Sequence, residues 1–235
     1  MSKISENSIF YKSYLYYNLY VRYKALKKRN TYSQNQEDLF INDYFKEKNN
    51  GFYIDIGCYH PIKYSNTALL YNRGWKGINI DMNQTSIDLF NILRKRDKNI
   101  CAAISNANRE TVQYFDHSFS PINTLDKKFS DTASKKFSFK QHTEKKIHTY
   151  KFNEIIQKYN IKIKQIDFIN IDAEAHDLEV LEGIDLSLFN AKIICVEMAN
   201  NQNNMKEKKL KDYLNKYNYN LIKIIGLNGI FKFKD

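Results

Sequence analysis

Proline is nearly absent from this chain, with two residues in 235, and cysteine is held to three. Three is an odd number, and Cys58, Cys101 and Cys195 each fall in or beside a predicted strand. That argues against a disulfide framework or a cysteine-built zinc site, and fits buried, reduced thiols in a cytoplasmic protein. No apolar run reaches the length of a membrane span. Before residue 31, Tyr and Lys interrupt every apolar stretch, so no signal-peptide core is expected. Internal repeats are missing. So is a G-x-x-x-x-G-K-[ST] loop, which removes the usual cradle for a triphosphate. The proline shortage comes with an abundance of Lys, Asn, Ile and Tyr, a bias that AT-rich coding produces without selection for a partner.

What is present is the composition of a soluble globular protein, 43% hydrophobic and 27% charged. The length suits one α/β domain with an added N-terminal element. The net charge of +11 sits in two segments. Residues 1–31 hold seven Lys or Arg against one Glu, and residues 127–151 hold eight Lys against two acids, so the remainder is close to neutral. Basic patches attract polyanions without specifying one. An anionic glycan or membrane surface suits them as well as nucleic acid does, and nucleic acid is not favoured as a partner. Residues 8–29 are predicted helical, rich in Tyr and closing on Lys27, Lys28 and Arg29, where cations meet the negative end of the macrodipole. Such a helix suits packing on its own domain or on a second subunit, or peripheral contact with an anionic bilayer at the inner face of the membrane.

The most informative stretch is Gly51–Pro61, GFYIDIGCYHP, followed by Gly77-Ile-Asn-Ile-Asp81. Residues 52–56 read as a buried parallel strand entering a turn at Gly57, and 78–80 as a second buried strand ending on Asp81. Strand, glycine turn, helix, then a strand with a terminal acid is how α/β proteins hold a nucleoside: backbone approaches the ligand at the turn, and the acid accepts from ribose hydroxyls. Tyr59, His60 and Pro61 crowd the turn where G-x-G-x-x-G would need glycine. What remains is a nucleoside ligand without a pyrophosphate, a description that S-adenosylmethionine fits.

Beyond Ser33, which with Gln36 predicts a capping box for a helix over 37–46, strands are expected at 52–56, 77–81, 99–104, 166–171, 192–198, 220–225 and 229–233. Helices are expected at about 65–73, 85–96, 151–159, 177–189 and 205–217. This alternation predicts a mostly parallel seven-stranded sheet with right-handed crossovers, its last two strands joined as an antiparallel hairpin through Gly226-Leu-Asn-Gly229. Residues 105–150 form a long insertion in which 111–115 alternates like a strand and 118–146 has no clear period. Its place at the edge of the sheet favours a lid or acceptor-binding region.

Five blocks occur in order: Tyr32-Ser-Gln-Asn-Gln-Glu-Asp-Leu39, Asp55-Ile-Gly-Cys-Tyr-His-Pro61, Ser65-Asn-Thr67, Gly74–Asp81, and Asp167–Gly183 with Asp172-Ala-Glu-Ala-His-Asp177 inside it. Together they resemble the FkbM-type family of S-adenosylmethionine-dependent O-methyltransferases, from Tyr32 to Met198. The resemblance implies a Rossmann-like class I methyltransferase domain over 32–235, with 1–31 as an N-terminal helical extension outside it. It implies methyl transfer to a hydroxyl of a small natural product or sugar; a glycan or nucleotide-sugar acceptor is the favoured partner. RNA ribose methylation, and a non-catalytic binding module with a methyltransferase fold, are the alternatives. An Asn/Asp-Pro-Pro-aromatic tetrapeptide, which amino-group methyltransferases use, is lacking. Ala175 stands where the family usually has glycine.

Ligands of an open parallel sheet bind beyond the carboxyl ends of its strands. Gly57, Cys58, His60, Asp81 and Ala103 are therefore candidates for cofactor contact, with Asp55 as support for the turn. Ser65 and Asn66 are placed to offer backbone N–H groups to the methionine carboxylate, and Gln34, in the leading block, to cover the cofactor. A hydroxyl needs a base or a Lewis acid before it can attack a methyl group. Asp172, Glu174 and His176 are the candidate catalytic residues. The same three could ligate a divalent metal, a reading not favoured because no second cluster completes the set. Trp75 is expected in the core.

Overall fold

The computed structural model describes residues 8–24, 29–116, 119–136, 143–198 and 204–234. A short helix α1 (Tyr11–Tyr17) runs into a wider π-helical turn (Asn18–Arg22), followed by α2 (Glu37–Tyr44). The alternating body then begins: β1 (Phe52–Ile56), α3 (Ala68–Asn72), β2 (Lys76–Asp81), α4 (Gln84–Leu93), β3 (Lys98–Cys101) and β4 (Ala103–Ile104). The insertion contributes β5 (Arg109–Asp116), α5 (Lys127–Lys136) and β6 (Thr143–Tyr150). The chain closes with α6 (Phe152–Lys158), β7 (Ile166–Ile171), α7 (Asp177–Glu182), β8 (Ala191–Glu197), α8 (Asn204–Lys216), β9 (Tyr219–Ile225) and β10 (Asn228–Phe233).

Seven strands form one sheet in the order β3-β2-β1-β7-β8-β10-β9, parallel except for β10, which runs against both of its neighbours. Because successive strand residues point to opposite faces, neighbours in sequence belong to different cores. Ile54, Ile169 and Ile194 join one face, covered by α6, α7 and α8 through residues such as Phe152, Leu181 and Leu214. Tyr53, Phe168 and Ile193 join the other, where Ile41, Phe45, Leu70 and the fully buried Trp75 pack. Strand order builds outward from β1 to β3, then returns to β7 on the other side of β1. That reversal is the switch point where such sheets bind ligands.

Several boundaries differ from expectation. Residues 99–104 are not one strand: Ala102 donates its N–H to the Asp81 carbonyl, after which β4 leaves the main sheet to pair with β6 in a small sheet ordered β4-β6-β5. The insertion is thus not without structure. Its arms β5 and β6 pair antiparallel, with α5 between them. The helix predicted over 65–73 starts at Ala68, and the one over 177–189 ends at Glu182, where Gly183 lies so close to Ser105 that a Cβ would stand 2.2 Å from its carbonyl oxygen. Ser33 does not cap with Gln36. Its hydroxyl meets Asp38, whose carboxylate also accepts from Thr31 and from the Tyr32 N–H, while Gln36 takes a left-handed conformation ahead of the helix. The predicted basic helix end at Lys27 and Lys28 lies outside the described residues. None of the three cysteines is in a disulfide, but Cys101 is exposed at the edge strand rather than buried.

Candidate active site

The carboxyl ends of β1 and β7 meet at the switch point. Gly57 turns there with φ +77°, its N–H donating to the Ile80 carbonyl at 2.9 Å. A Cβ at this position would stand 1.8 Å from the Asp172 carbonyl oxygen, so conformation and space both demand glycine. One step along the sheet, Asp81 closes β2 and fixes the turn that follows β1. One carboxylate oxygen accepts from the Tyr59 N–H at 2.8 Å and the other from the Asn83 N–H at 2.7 Å. Burial nevertheless pushes its pKa up to about 6, the two hydrogen bonds pulling the other way.

Between these ends lies a cleft, partly open to solvent, lined by Gly57, Tyr59, Asp81, Met82, the stretch 102–104, Asp172 and His176. The insertion supplies the facing wall through Ser120, Pro121, Asn123 and Leu125. It is pinned there at two points: Thr124 donates to the Glu174 carbonyl at 2.6 Å, and the Phe119 ring stacks on Tyr59 with centroids 5.0 Å apart.

The turn after β7 is tight. Glu174 and Ala175 both have positive φ, +50° and +72°, and Asp177 accepts from the Ala173 N–H at 2.7 Å. The Lys206 ammonium donates to the Ala175 carbonyl. Asp172 lines the cavity, and among the described residues none donates a hydrogen bond to its carboxylate. Burial, then repulsion from Asp177, Asp55, Glu37 and Asp81, raises its pKa to about 7. His176 pairs through Nε2 with the Ser105 hydroxyl at 3.0 Å, and its Nδ1 lies 3.7 Å from Glu179. Burial lowers its pKa, so the ring is neutral near pH 7.

The match to a family model is extensive: the model of the Methyltransferase FkbM domain covers residues 55–221. The chain belongs to the FkbM methyltransferase family. No curated protein sequence matches it. Among solved structures it is similar to an O-methyltransferase from Bacillus cereus in complex with SAH, at 15% identity and a TM-score of 0.47, over 93% of this chain and 89% of that one.

Of the residues singled out from sequence, Gly57, Asp81, Ala103, Asp172 and His176 line the cavity of this FkbM domain. The others lie elsewhere. Asp55 is buried beneath the turn, accepting from Thr67 at 2.6 Å and from Asn170 at 2.9 Å. The Ser65 N–H donates to the Tyr32 carbonyl at 3.1 Å, and the helix begins only at Ala68, while the Ser65 side chain accepts from Arg94 at 2.8 Å and that of Asn66 donates to Asn170 at 2.8 Å. His60 is buried away from the cavity, its Nδ1 accepting from the Ile62 and Lys63 N–H groups. The Cys58 side chain packs on Ile87 and Phe90. Gln34 is exposed and does not line the cavity. Glu174 is absent from the lining; burial and the Asp172 charge push its pKa up to about 9.

Two features were missed. Arg94, fully buried, donates to Tyr53, Thr67, Ser65 and the Pro61 carbonyl, and so ties the segment 61–67 to β1. In the sequence it is only the first of three consecutive cations, Arg94-Lys95-Arg96, so nothing local marks it as buried. The acids that come together are also not the expected trio: Asp172, Asp177 and Glu197 each bring an oxygen into a group no wider than 4.8 Å, with Glu174 and His176 outside it. Glu197 ends the neighbouring strand β8, and only sheet order places it there. Among the described residues these three carboxylates are the set that could hold a divalent cation; shared protons relieve the same repulsion.

Proposed function

We propose that this FkbM methyltransferase transfers a methyl group from S-adenosylmethionine to a hydroxyl. The acceptor we favour is a sugar hydroxyl of a bacterial surface polysaccharide or of its nucleotide-linked precursor. One observation carries the reading: two carboxylates, Asp81 and Asp172, end two strands around a single cavity and are in opposite states. Asp81 is fixed by backbone N–H groups, whereas Asp172 has no hydrogen-bond donor among the described residues.

The residues fit the cofactor. Each Asp81 oxygen uses one lone pair on a backbone N–H and keeps another for a ribose hydroxyl. Gly57 leaves the turn bare of side chain where a ligand approaches, and Ala102–Ile104 with Met82 offer apolar surface to a base. S-adenosylmethionine, when bound, supplies an electrophilic methyl group. Asp172 receives the proton of the acceptor hydroxyl; with a pKa of about 7 it is matched to neutral solution. The wall 120–125 excludes water and holds the acceptor in line, the main contribution an enzyme makes to a one-step displacement. Support for an anionic acceptor comes from the helix that continues this wall, where Lys127, Lys128, Lys135 and Lys136 are exposed.

Calorimetry with S-adenosylmethionine tests the first half; no heat of binding at millimolar ligand would remove it. Methyl transfer to a panel of nucleotide sugars, measured with isotopically labelled donor, tests the second. Running the same assay after dialysis against a chelator separates the Asp172 base from a cation held by Asp172, Asp177 and Glu197, because only the latter loses turnover and regains it on adding Mg²⁺ or Mn²⁺.

A further inference from the structure

The helix ahead of the FkbM domain has two apolar faces, and among the described residues only one is packed against the domain. On the inner face, Leu15 and Leu19 pack on Leu89 of α4, and the Tyr11 hydroxyl donates to Asp88 at 2.7 Å. The outer face carries Ile9, Phe10 and Val21 at 88%, 68% and 63% exposure, together with the half-exposed rings of Tyr16, Tyr17 and Tyr20. Ile9 and Phe10 lead into the helix, the Tyr16 and Tyr20 rings stack with centroids 5.8 Å apart, and Val21 follows in the π-helical turn. A continuous apolar face of this kind on a soluble domain marks an interaction site.

Charge decides what covers it. Lys12, Arg22 and Lys24, in and just after these helical turns, are exposed, and the first 31 residues of the sequence hold seven cations against one anion. A second copy meeting this face symmetrically would bring like charges together, whereas an anionic lipid surface is complementary to it. The aromatic residues are of the matching kind. Tyr presents an apolar ring with a polar tip, the form that settles at the level of lipid headgroups. No helix among the described residues is long and apolar enough to cross a membrane, so contact would be parallel to the surface.

We infer that the outer face of α1 and its π-helical continuation docks the protein on anionic lipid bilayers. The helix reaches the active-site turn as well: Tyr23 packs edge-on against His60 with centroids 4.9 Å apart, and Phe119 bridges the α1 cluster to Tyr59. Docking through this face therefore sets the cavity next to the bilayer, where an acceptor carried on a lipid would be presented. The docking does not depend on the methyl-transfer reading.

Vesicle flotation of the full chain tests it, with vesicles of phosphatidylcholine alone and of phosphatidylcholine mixed with phosphatidylglycerol. The protein should float with the mixed vesicles only, and should be released as salt is raised. Two exposed substitutions together, Phe10→Ser and Val21→Ser, should weaken vesicle binding by about tenfold or more with circular dichroism and thermal unfolding unchanged. Lys12→Glu with Lys24→Glu should do the same by charge alone. No flotation at low salt would overturn the proposal. So would flotation indifferent to both pairs of substitutions, or concentration-dependent dimerisation abolished by Phe10→Ser and Val21→Ser, which would assign the face to a second copy.

Discussion

At the scale of single residues, the two cavity carboxylates have separable roles. Replacing Asp81 by Ala removes the acceptor for two ribose hydroxyls, hydrogen bonds to a charged group worth roughly 1.5–3 kcal/mol. The dissociation constant for S-adenosylmethionine should rise about 10- to 150-fold, as read by calorimetry. Because Asp81 also holds the Tyr59 and Asn83 N–H groups, Asp81→Asn, which keeps one acceptor oxygen, should fall between wild type and Ala. Asp172→Asn should instead leave cofactor affinity nearly unchanged and lower kcat by about 10²–10⁴-fold. In the wild type, kcat should climb as pH passes about 7, where burial and neighbouring acids have moved the Asp172 carboxyl. The variant should lose that limb. Near-normal turnover in Asp172→Asn would hand the proton to His176, which lines the same cavity and is neutral at that pH.

The elements divide into those the chain announces and those that tertiary contact decides. Apolar runs at 52–56 and 166–171 are short, β-branched and bounded, and the strands match residue for residue. The order of blocks likewise points to Gly57, Asp81 and Asp172, because these sit at strand ends and topology brings strand ends together. What was illegible depends on partners distant in sequence. β4 leaves the sheet because β6, more than forty residues later, pairs with it. Glu197 joins Asp172 only because β8 lies beside β7. Asn18 and Arg94 are polar, yet both are fully buried, which nothing local in the sequence marks; Asn18 turns inward to donate to the Tyr14 carbonyl at 2.8 Å, beside the widened helical turn. The substitution of Ala175 for glycine becomes intelligible at this scale too. Its φ of +72° follows another left-handed residue, Glu174, a conformation that costs a side chain with a Cβ roughly 1–2 kcal/mol. Part of that is offset because glycine gives the unfolded chain more freedom, about 0.4–1 kcal/mol. Ala175→Gly should thus stabilise the β7–α7 turn by about 0.5–1 kcal/mol and raise the melting temperature. A lowered melting temperature would show that the Lys206 contact and the pinned Thr124 hold the turn without strain.

Over the whole molecule, the buried charge among the described residues is mainly acidic, with Arg94 as the buried base, and most lysines and the other arginines lie nearer the surface. The basic segments lie in the N-terminal extension and the insertion, while carboxylates gather where β1, β2, β7 and β8 end. Those carboxylates carry the pH dependence of stability. Burial raises Asp177 to about 6, Asp172 to about 7, Glu174 to about 9 and Glu197 to about 10, each above its value in an unfolded chain. Between the ordinary carboxyl range and those values the native state binds more protons than the unfolded state, so stability must fall as pH rises through that window. His60, lowered to about 3 by burial, acts the other way, but only below the ordinary imidazole value near 6.5. Above that pH the buried thiols of Cys58 and Cys195, also raised by burial, add to the acids. The melting temperature of the free protein should therefore decline steadily from about pH 6.5 to pH 9, as followed by calorimetric scans in buffers of equal ionic strength. Glu197→Gln removes the group with the highest of these carboxyl values and should flatten the decline, gaining most against wild type at the alkaline end. A profile that stays level across this range, in both proteins, would mean that the carboxylates remain ionised in the native state and that a bound cation, rather than protons, offsets their repulsion.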